Sequence, residues 1–326
     1  MHEWQPLQEQ YNLEVRRDET LAKHCTYEVG GPADFFCEPH NMEALRGVLQ
    51  LCRAKGTPVT IIGKGSNLLV SDRGIRGMVV CLAGAFAKRG FLQACPGREA
   101  YAEALNSLTE EPQIDADGFA WLFSEAGASM IEVSKYASSL ALGGLEFACG
   151  IPGTVGGAVY MNAGAYGGMT QEVAAITYYL DADFELRAAV WDEQNFGYRR
   201  SLYQDVKGTI LATCYRLQPG DAAEINSKVA ELTAKREKSQ PLEYPSCGSV
   251  FKRPEGYYAG KLIMDSGLQG FRIGGAEVSL KHAGFIVNRG GATATDIADL
   301  IAHIRKTVAE KFGVTLETEV RFIGDW

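Results

Sequence analysis

The sequence predicts a protein of the α+β class, with helices and strands mixed along a chain of 326 residues. Three observations lead to this expectation. Some apolar residues recur at helical spacing, whereas others form the short runs that are typical of strands. Hydrophobic residues make up 46% and charged residues 22% of the chain, which are ordinary values for a globular protein. Glycine is unusually frequent, with 37 residues, so irregular loops are expected between the regular elements.

The first part of the chain predicts a strand, a helix and two further strands. Residues 35–39 form a short apolar run, and residues 41–55 carry apolar side chains at helical spacing. The run 56–58, Gly-Thr-Pro, ends the helix, and strands are expected at 59–62 and 78–82. This is the order of a β-α-β opening, in which ligands commonly bind at the carboxyl ends of the strands.

Residues 87–117 interrupt this pattern, because they are charged, helix-prone and without a recognisable motif. We expect an exposed insertion that decorates the surface of the protein, and a segment that binds a partner is the alternative. Regular structure is expected to resume after this insertion, with a strand at residues 119–125 and a helix at residues 129–142.

The second half of the chain predicts a pair of strands joined by a turn at residues 181–183, followed by alternating elements. In order, these are the strands 174–180, 185–191 and 209–217, the helices 222–238 and 259–266, the strand 283–288, the helix 294–312 and the strand 315–323. Thr295 is the expected N-cap of the helix at 294–312, because a threonine hydroxyl can accept a hydrogen bond from the first N–H groups of a helix.

A glycine loop, Gly-Lys-Gly-Ser-Asn, occupies residues 63–67, directly after the strand expected at 59–62. It begins as G-x-G, but Leu68 stands where the dinucleotide fingerprint requires its third glycine, so a simple NAD-binding Rossmann domain is disfavoured. Successive N–H groups in such a loop can still form a nest for a pyrophosphate. A tight turn without a ligand is the alternative.

A second glycine-rich run extends over residues 144–168 and is apolar almost throughout. Glycine at this density costs backbone entropy, so we expect irregular backbone that lies directly against a large ligand, with a sharply bent buried loop as the alternative. The run is long enough to resemble a membrane span, but its glycines, Pro152 and the lack of flanking cations disfavour one. Together the two loops predict a bulky cofactor that carries phosphate.

Composition excludes several classes of function. The net charge of −8 argues against unspecific binding to nucleic acid. The eight cysteines have no C-x-x-C spacing, so we expect buried, reduced thiols. The five histidines are too dispersed for a metal site. The first residues do not have the basic and apolar regions of a signal peptide, so a cytoplasmic protein is expected.

Three further segments carry side chains suited to chemistry. Residues 198–201, Tyr-Arg-Arg-Ser, place two guanidinium groups beside hydroxyl groups, and Ser249 follows a glycine. Residues 316–323 alternate as in a strand, with Leu316, Thr318, Val320 and Phe322 on one side and Glu317, Glu319 and Arg321 on the other. Taken singly, these segments also fit a solvated loop, a turn and an edge strand. A serine hydrolase is disfavoured because no G-x-S-x-G motif is present.

Taken together, these segments closely resemble the UDP-N-acetylenolpyruvoylglucosamine reductase (MurB) family. The motifs that carry the resemblance lie, in order, at residues 25–34, 63–70, 144–168, 197–201, 248–254, 273–276 and 316–324. The resemblance implies an FAD-binding fold of the p-cresol methylhydroxylase/vanillyl-alcohol oxidase type. Its two subdomains are expected at residues 1–82 and 83–217, the second with the insertion at about 87–117, and a C-terminal α+β substrate domain is expected at residues 218–326.

The resemblance also implies the reaction. NADPH reduces non-covalently bound FAD, and the reduced flavin passes a hydride to the enolpyruvyl ether of UDP-N-acetylglucosamine, which yields UDP-N-acetylmuramate for peptidoglycan synthesis. Only small-molecule partners are expected, without nucleic acid or membrane, and a cytoplasmic monomer is favoured. Residues 217–220 lead almost directly into the helix at 222–238, which resembles the shorter subtype of the family, without an additional tyrosine-bearing loop.

The roles of individual residues follow from the same resemblance. Ser249 matches the proton donor to the substrate, Arg199 the catalytic arginine and Glu319 the catalytic glutamate. Next in rank, as contacts to the substrate, are Tyr166, Tyr198, Arg253 and Arg321. No metal is implied. The residues expected to bind FAD are Gly63, Lys64, Gly65, Ser66, Asn67, Pro152, Gly153, Thr154, Gly156, Gly157, Asn162 and Gly164.

Two other functions remain open at this point. The first is another flavoenzyme of the same fold that oxidises an alcohol or a hydroxy acid, against which the set of Ser249, Arg199 and Glu319 argues. The second is a nucleotide-binding or scaffold protein that keeps the fold without catalysis, against which the same intact set argues. A purified protein without flavin would favour the second.

Overall fold

The structure is a computed structural model that describes residues 3–326. Its helices are α1 Gln5–Tyr11, α2 Met42–Lys55, α3 Tyr101–Asn106, α4 Met130–Ser139, α5 Val155–Tyr160, α6 Leu202–Asp205, α7 Ala222–Ser239, α8 Ala259–Asp265 and α9 Ala294–Phe312. Its strands are β1 Val15–Thr20, β2 Pro32–Cys37, β3 Val59–Ile62, β4 Leu68–Val70, β5 Ile75–Cys81, β6 Arg89–Leu92, β7 Ala120–Glu125, β8 Leu142–Gly143, β9 Gly164–Ala165, β10 Gly168–Met169, β11 Ala174–Leu180, β12 Leu186–Val190, β13 Thr209–Pro219, β14 Arg272–Ile273, β15 Ala276–Val278, β16 Ile286–Asn288 and β17 Arg321–Ile323.

Within the described residues, the strands form two larger sheets and three small ones. One sheet has four strands in the order β1-β2-β5-β3, and another has the antiparallel path β12-β11-β13-β7-β6, with β8 paired to β13. The smaller sheets are β14-β15-β16, β9-β10 and the parallel pair β4-β17. The expected pairing of residues 174–180 with the strand after the turn at 181–183 is confirmed, with Leu180 opposite Leu186.

The described residues divide into two compact units, and each unit draws on separated stretches of the chain. Unit 1 consists of the residues up to Val15, Cys37–Gly63 and Val80–Lys235, and unit 2 of Arg16–Phe36, Lys64–Val79 and Arg236–Trp326. The three domains expected at residues 1–82, 83–217 and 218–326 remain a prediction.

The core of unit 1 lies around the sheet that contains β6, β7 and β13. Apolar side chains of β6, β7 and β13 pack with those of α4, α5 and the segment between them, including Phe91, Leu122, Val133, Phe147, Val155 and Tyr215. Helix α2 forms as its sequence predicts: the side chain of Asn41 accepts a hydrogen bond of 2.8 Å from the N–H of Ala44, and Gly56 ends the helix with a φ of +66°.

The core of unit 2 gathers α8, α9 and the β14-β15-β16 sheet. Buried side chains on one face of α9, among them Ile297, Leu300, Ile304 and Val308, pack against this layer, as the periodic pattern of that helix predicts. The helix has its expected bounds, but its N-cap lies two residues before the expected one. Thr293 rather than Thr295 is the cap, and its hydroxyl accepts a 3.0 Å hydrogen bond from the N–H of Asp296.

Thr295 has a different partner from the one expected. Its hydroxyl and N–H both donate to one carboxylate oxygen of Asp72, at 2.7 and 2.8 Å, and the N–H of Ala294 donates to the other at 2.8 Å. Partial burial opposes ionisation of Asp72, but these hydrogen bonds outweigh it and hold the pKa of the carboxyl below its usual range. A carboxylate from outside α9 therefore satisfies the first N–H groups of the helix.

The expectation of a wholly exposed insertion at residues 87–117 is wrong for its first half. Residues 89–92 form β6, which pairs with β7, and Phe91 is fully buried in the core of unit 1. Tyr101, on the short helix α3, is also buried and contacts the rings of Phe123 and Tyr178. The sequence pattern missed these contacts because a four-residue strand and a single buried ring give no periodic signal.

The glycine-rich run at 144–168 contains more regular structure than expected. Helix α5 includes Gly156 and Gly157, and residues 164–169 form the β9-β10 hairpin. The closing strand is shorter than expected, because only Arg321–Ile323 is a strand, although Thr318 also bridges to Phe251. The expected alternation holds at Leu316 and Val320, which are buried, and fails at Phe322, which is exposed.

The state of the thiols is as the sequence predicts. All eight cysteines lie in the described part of the chain and are free; seven are buried, as expected, and Cys95 is exposed. Among residues 3–326, no helix combines the length and the apolar character that crossing a membrane requires.

We predict that Asp72→Ala lowers the free energy of unfolding by about 1 kcal/mol, because the start of α9 loses its acceptor and the exposed site is screened by solvent. The pKa of Asp72 is lowered on folding, so its contribution is complete above the ordinary carboxyl pKa of about 4 and is lost as the pH falls through the lowered value. Urea denaturation at pH 7 and at decreasing acidic pH measures both effects.

Asp117→Ala is the matched control for this prediction, because Asp117 is also exposed but lies in a turn outside α9. Equal midpoints for Asp72→Ala and Asp117→Ala at pH 7 would show that the carboxylate of Asp72 does not stabilise the helix.

Candidate functional site

The residues that the sequence singles out are divided between the two units, and each set is described within its own unit. Unit 1 holds Gly63, Pro152, Gly153, Thr154, Gly156, Gly157, Asn162, Gly164, Tyr166, Tyr198 and Arg199. Unit 2 holds Lys64, Gly65, Ser66, Asn67, Ser249, Arg253, Glu319 and Arg321.

Within unit 1, Gly63 lies against Thr154 of the glycine-rich run. A Cβ atom at Gly63 would collide with the hydroxyl of Thr154, so only glycine fits at this contact. Thr154 is buried, pairs with Ser129 and caps α5 by accepting a 3.3 Å hydrogen bond from the N–H of Gly157. Pro152, Gly153 and Gly164 remain wholly or partly accessible to solvent.

The start of α5 is held tightly by its own unit. The N–H groups of Val155 and Gly156 donate to the carbonyl groups of Ala128 and Ala126, at 2.9 and 2.8 Å. A Cβ atom at Gly156 would lie only 2.9 Å from that of Ala126. These glycines therefore allow backbone to pack against backbone, and the donors at the start of α5 are used within unit 1.

The two tyrosines expected to contact the substrate lie at the tips of two tight turns. Tyr166 and Gly167 connect β9 to β10, and both have positive φ, +55° and +91°, as in a type I′ hairpin turn. Tyr198 and Arg199 form the other tip, between Gly197 and Arg200. Both rings are exposed, Tyr166 by 45% and Tyr198 by 53%, so both phenols are accessible to a ligand.

The Tyr198–Arg199 turn is closed by two backbone hydrogen bonds, 3.0 and 3.1 Å long, which Gly197 and Arg200 exchange. Arg199 has a φ of +57°, in the left-handed region that few residues other than glycine and asparagine adopt. Its guanidinium group lies 5.1 Å from the centre of the Tyr198 ring, over its face. The turn therefore presents a cation and a phenol from adjacent positions.

The side chain of Asn162, which is expected to contact the cofactor, forms its hydrogen bonds within unit 1. Its side chain is fully buried, and its amide N–H groups donate to Gln171 Oε1 at 2.7 Å and to the carbonyl of Gly197 at 2.9 Å. Its amide oxygen accepts a 3.0 Å hydrogen bond from the N–H of Gln171. The side chain thus links the glycine-rich run to the Tyr198–Arg199 turn inside unit 1.

In unit 2, the loop 64–67 is held by hydrogen bonds from backbone N–H groups and from a thiol. The carbonyl of Gly65 accepts hydrogen bonds from the N–H groups of Thr26 and Leu68, both at 3.4 Å, and from the thiol of Cys247 at 3.5 Å. Burial raises the pKa of Cys247 to about 12, so the thiol keeps its proton and acts as a donor. Gly65 has a φ of +62° and no room for a Cβ atom beside Cys25.

The same loop is joined directly to the segment that carries Glu319 and Arg321. The side-chain amide of Asn67 donates to the carbonyl of Glu319 at 3.1 Å, and the N–H of Arg321 donates to the carbonyl of Asn67 at 2.9 Å. The strands β4 and β17 continue this contact as a parallel pair, with Arg321 opposite Leu68. Unit 2 therefore brings together residues that are 252 positions apart in the sequence.

Ser249 lies beside this junction. The carbonyl of its neighbour Val250 accepts hydrogen bonds from the N–H groups of Glu319 at 2.7 Å and Val320 at 3.3 Å, and Ser249 itself pairs with Phe285. Ser249 is exposed and Glu319 is partly exposed. A hydroxyl donor, a carboxylate and the candidate cofactor loop are thus held by one hydrogen-bonded backbone framework.

Arg253 lies on the same segment as Ser249, and its side chain is held by contacts with two tyrosines. Its guanidinium group lies 4.1 Å from the centre of the Tyr258 ring, and its Nε donates to the carbonyl of Tyr257 at 3.4 Å. A guanidinium group held in one orientation is well suited to a carboxylate or a diphosphate, since it donates parallel hydrogen bonds.

Sequence reasoning missed the residues that support these loops. Gln204 donates to the carbonyl of Arg199, and Cys247 donates to that of Gly65. An amide five residues after an arginine, or a single thiol far along the chain, has no periodicity and belongs to no motif that could reveal it.

Two family models match the chain. The model described as "UDP-N-acetylenolpyruvoylglucosamine reductase, C-terminal domain" matches residues 240–323, and the model described as "FAD binding domain" matches residues 33–104. The first covers Ser249, Arg253, Glu319 and Arg321. The second covers the loop 63–67 and also the strand β6, which agrees with the finding that this part of the expected insertion belongs to the folded core.

Full-length relatives agree with these matches. The UDP-N-acetylenolpyruvoylglucosamine reductase of Shouchella clausii is 48% identical over 311 residues, which cover 95% of this chain and 91% of the relative. The protein of the same name from Listeria innocua is 45% identical over 320 residues, which cover 98% of each chain.

A solved structure gives the same result for the fold. The crystal structure of UDP-N-acetylenolpyruvylglucosamine reductase (MurB) from Thermus caldophilus is similar with a TM-score of 0.74 and 31% identity, over 95% of this chain and 98% of that one. The α+β fold with an FAD-binding domain, which the sequence predicts, is therefore confirmed, and so is FAD as the cofactor. The chain belongs to the UDP-N-acetylenolpyruvoylglucosamine reductase family.

Proposed function

We propose that this chain is an NADPH-dependent flavoenzyme that reduces UDP-N-acetylglucosamine enolpyruvate to UDP-N-acetylmuramate, a precursor of peptidoglycan. The observation that carries the proposal is the junction in unit 2, where Asn67 of the cofactor loop binds the backbone of Glu319 beside the segment of Ser249. A reaction that adds a hydride and a proton to one substrate needs its cofactor loop and its proton donor on a common rigid support.

The residues present fit FAD. Gly63 packs against Thr154 and Gly65 against Cys25 without room for a side chain, which fixes the path of this loop. The positive φ of Gly65 is a component of the nests that bind pyrophosphate. We assign the loop 63–67 and the accessible Pro152, Gly153 and Gly164 to FAD. The loop contains no histidine or cysteine, which supports non-covalent binding. When bound, FAD accepts a hydride from NADPH and supplies it to the terminal vinyl carbon of the substrate.

Ser249 is proposed to donate the proton that completes the reduction. Once the terminal vinyl carbon has gained a hydride, the electron pair of the double bond resides on the α-carbon and on the adjacent carboxylate. The hydroxyl of Ser249 protonates the α-carbon, and the resulting alkoxide takes up a proton from solvent. A serine hydroxyl is a weak acid, but this carbanion is a much stronger base, so the transfer is downhill when the geometry is right.

Arg199 and Glu319 are proposed to act on the charge that develops in this step. The guanidinium group of Arg199 stabilises the negative charge, and its fixed position in a tight turn means that little reorganisation is needed. Glu319 orients the substrate carboxylate through a proton or a bridging water. Arg253 and Arg321 are suited to the anionic groups of the substrate, and Tyr166 and Tyr198 to its polar oxygens.

We also propose that the enzyme acts as a monomer in the cytoplasm, on small molecules only. The net charge of −8 gives no support to nucleic acid as a ligand. Sedimentation of the flavin-loaded protein, at concentrations above and below those of the activity assay, tests the oligomeric state directly.

We predict that NADPH bleaches the flavin absorbance of the purified protein under anaerobic conditions and that UDP-N-acetylglucosamine enolpyruvate then restores it. The first change reports hydride transfer to the cofactor and the second reports transfer to the substrate. An absorbance titration with the two compounds in this order measures cofactor, donor and acceptor in one experiment.

UDP-N-acetylglucosamine without the enolpyruvyl group is the control for that titration, because it lacks the double bond. A flavin that NADPH bleaches but that the enolpyruvyl sugar does not reoxidise would contradict the substrate. Rapid bleaching by an alcohol or a hydroxy acid, with slow bleaching by NADPH, would instead identify an oxidase or dehydrogenase of the same fold.

We predict that Ser249→Ala slows reoxidation of the reduced flavin by the enolpyruvyl sugar by about 10²- to 10⁴-fold, since the step loses its proton donor. Reduction by NADPH should keep the wild-type rate, because it does not use this proton. Stopped-flow absorbance measures the two half-reactions separately. Ser246→Ala, three residues away, is the matched control, and a Ser249→Ala enzyme with wild-type turnover would rule out Ser249 as the donor.

A further inference from the structure

We infer that Gln204 and Asn162 are positioning residues, which hold the Tyr198–Arg199 turn in the conformation in which Arg199 acts. This inference rests on the proposed function, in which Arg199 stabilises negative charge on the substrate. It concerns contacts within unit 1 only. It assigns the side chain of Asn162 to positioning the turn, whereas the motif of this residue implies a contact with the cofactor.

The conformation of Arg199 needs support from its surroundings. A φ of +57° is uncommon for an arginine, because the Cβ atom approaches the backbone closely in the left-handed region. The second central residue of a tight turn with positive φ is usually glycine or asparagine. Such a backbone persists where neighbouring contacts determine it fully, and these positions are concentrated at functional sites.

Gln204 supplies the contact at Arg199 itself. Its side-chain amide donates to the carbonyl of Arg199 at 3.1 Å and to that of Tyr160 at 2.7 Å, so one amide group ties the turn to the end of α5. The hydroxyl of Ser201 donates to the same Tyr160 carbonyl at 2.8 Å. The carbonyl groups at a helix end have no partners within the helix, so Tyr160 is a natural anchor point.

Asn162 fixes the other side of the turn. Its amide donates to the carbonyl of Gly197 at 2.9 Å, and its remaining hydrogen bonds go to Gln171, so the side chain has a single orientation in a fully buried position. Gln204 and Asn162 therefore hold backbone carbonyl groups on both sides of Tyr198, at Arg199 and Gly197.

The base of the loop is closed by a buried polar network. The hydroxyl groups of Tyr203 and Thr177 donate to Gln194 Oε1 at 3.1 and 2.8 Å, and the amide of Gln194 donates to the carbonyl of Ala174 at 2.7 Å. Gln194 and Tyr203 are fully buried. A satisfied network of this kind rigidifies its surroundings. Gln194 and Tyr203, at the two ends of the loop 195–202, are therefore held in fixed positions.

The consequence for the reaction is preorganisation of a cation. A guanidinium group that is already in place stabilises developing charge without reorganisation, and a displacement of about 1 Å can reduce a rate by about 100-fold. Loss of the Gln204 amide should therefore slow only the step that uses Arg199. A residue that merely stabilised unit 1 would affect both half-reactions, or neither.

The test compares Gln204→Met, which keeps the shape of the side chain and removes its donor, with Gln204→Lys, which keeps a donor. We expect Gln204→Met to slow reoxidation of the reduced flavin by the enolpyruvyl sugar by about 10- to 100-fold, with the NADPH half-reaction and the thermal midpoint near wild type. Gln204→Lys should recover most of the rate. Gln269→Met is the matched control, since Gln269 also donates to a backbone carbonyl, that of Leu280, at 2.8 Å.

A double-mutant cycle with Arg199→Ala separates positioning from general stability. If Gln204 acts through Arg199, Gln204→Met should cause little further loss in the Arg199→Ala enzyme, so the two effects are strongly non-additive. Asn162→Leu should behave in the same way. Should Gln204→Met fail to fold, Gln204→Ala takes its place, because it removes the same donor and fits a partly exposed helical position.

Two negative results have different meanings. A slow Arg199→Ala enzyme together with a wild-type Gln204→Met enzyme, or losses that simply add, would overturn the positioning role and leave the proposed function intact. Wild-type reoxidation by Arg199→Ala would overturn the role proposed for Arg199, and the inference with it.

Discussion

The parallel pairing of β4 with β17 is the contact on which the candidate site of unit 2 depends. It places Asn67 between the backbone groups of Glu319 and Arg321 and fixes the register in which Glu319 lies beside Val250. A slip of one residue would turn every side chain of the short strand to its opposite face. The side chain of Asn67 therefore contributes to the position of Glu319, and hydrogen bonds join the loop 64–67 directly to the segment that carries Glu319.

In unit 1, side-chain amide groups also fix the backbone of a loop, as the amide of Asn67 does in unit 2. There, the amide groups of Gln204 and Asn162 donate to backbone carbonyl groups of a turn that has no regular structure of its own. In both units, a side-chain amide replaces the hydrogen bonds that a helix or sheet would supply. Loops can thus carry functional residues while their backbones remain fixed, which a reaction with two successive transfers requires.

Much of this organisation could be predicted from the sequence. Periodic apolar residues predicted α2 and α9, because each of these helices buries one continuous face. Short strand-like runs on either side of a turn predicted the pair β11-β12, and the ordered motifs identified the family. The buried edge strand at Phe91 and the supporting Gln204 could not be predicted, because each depends on a contact with a distant segment. The cap at Thr293 could have been predicted, because Thr293 and Asp296 form a local capping box. Asn162 shows a further limit: a motif marks a residue as necessary, but whether it contacts a ligand or another loop depends on burial.

The distance along the chain between Asn67 and Glu319 also has a consequence during synthesis. At about 5 to 20 residues per second, a ribosome makes the later residue roughly 10 to 50 seconds after the earlier one. Throughout that interval, the edge of β4 has no partner strand, and an unpaired edge can join other nascent chains. The short length of Leu68–Val70 limits this hazard. Assembly of this half of the site therefore waits until residue 319 has been made, and a nascent chain that stops short of that residue lacks it.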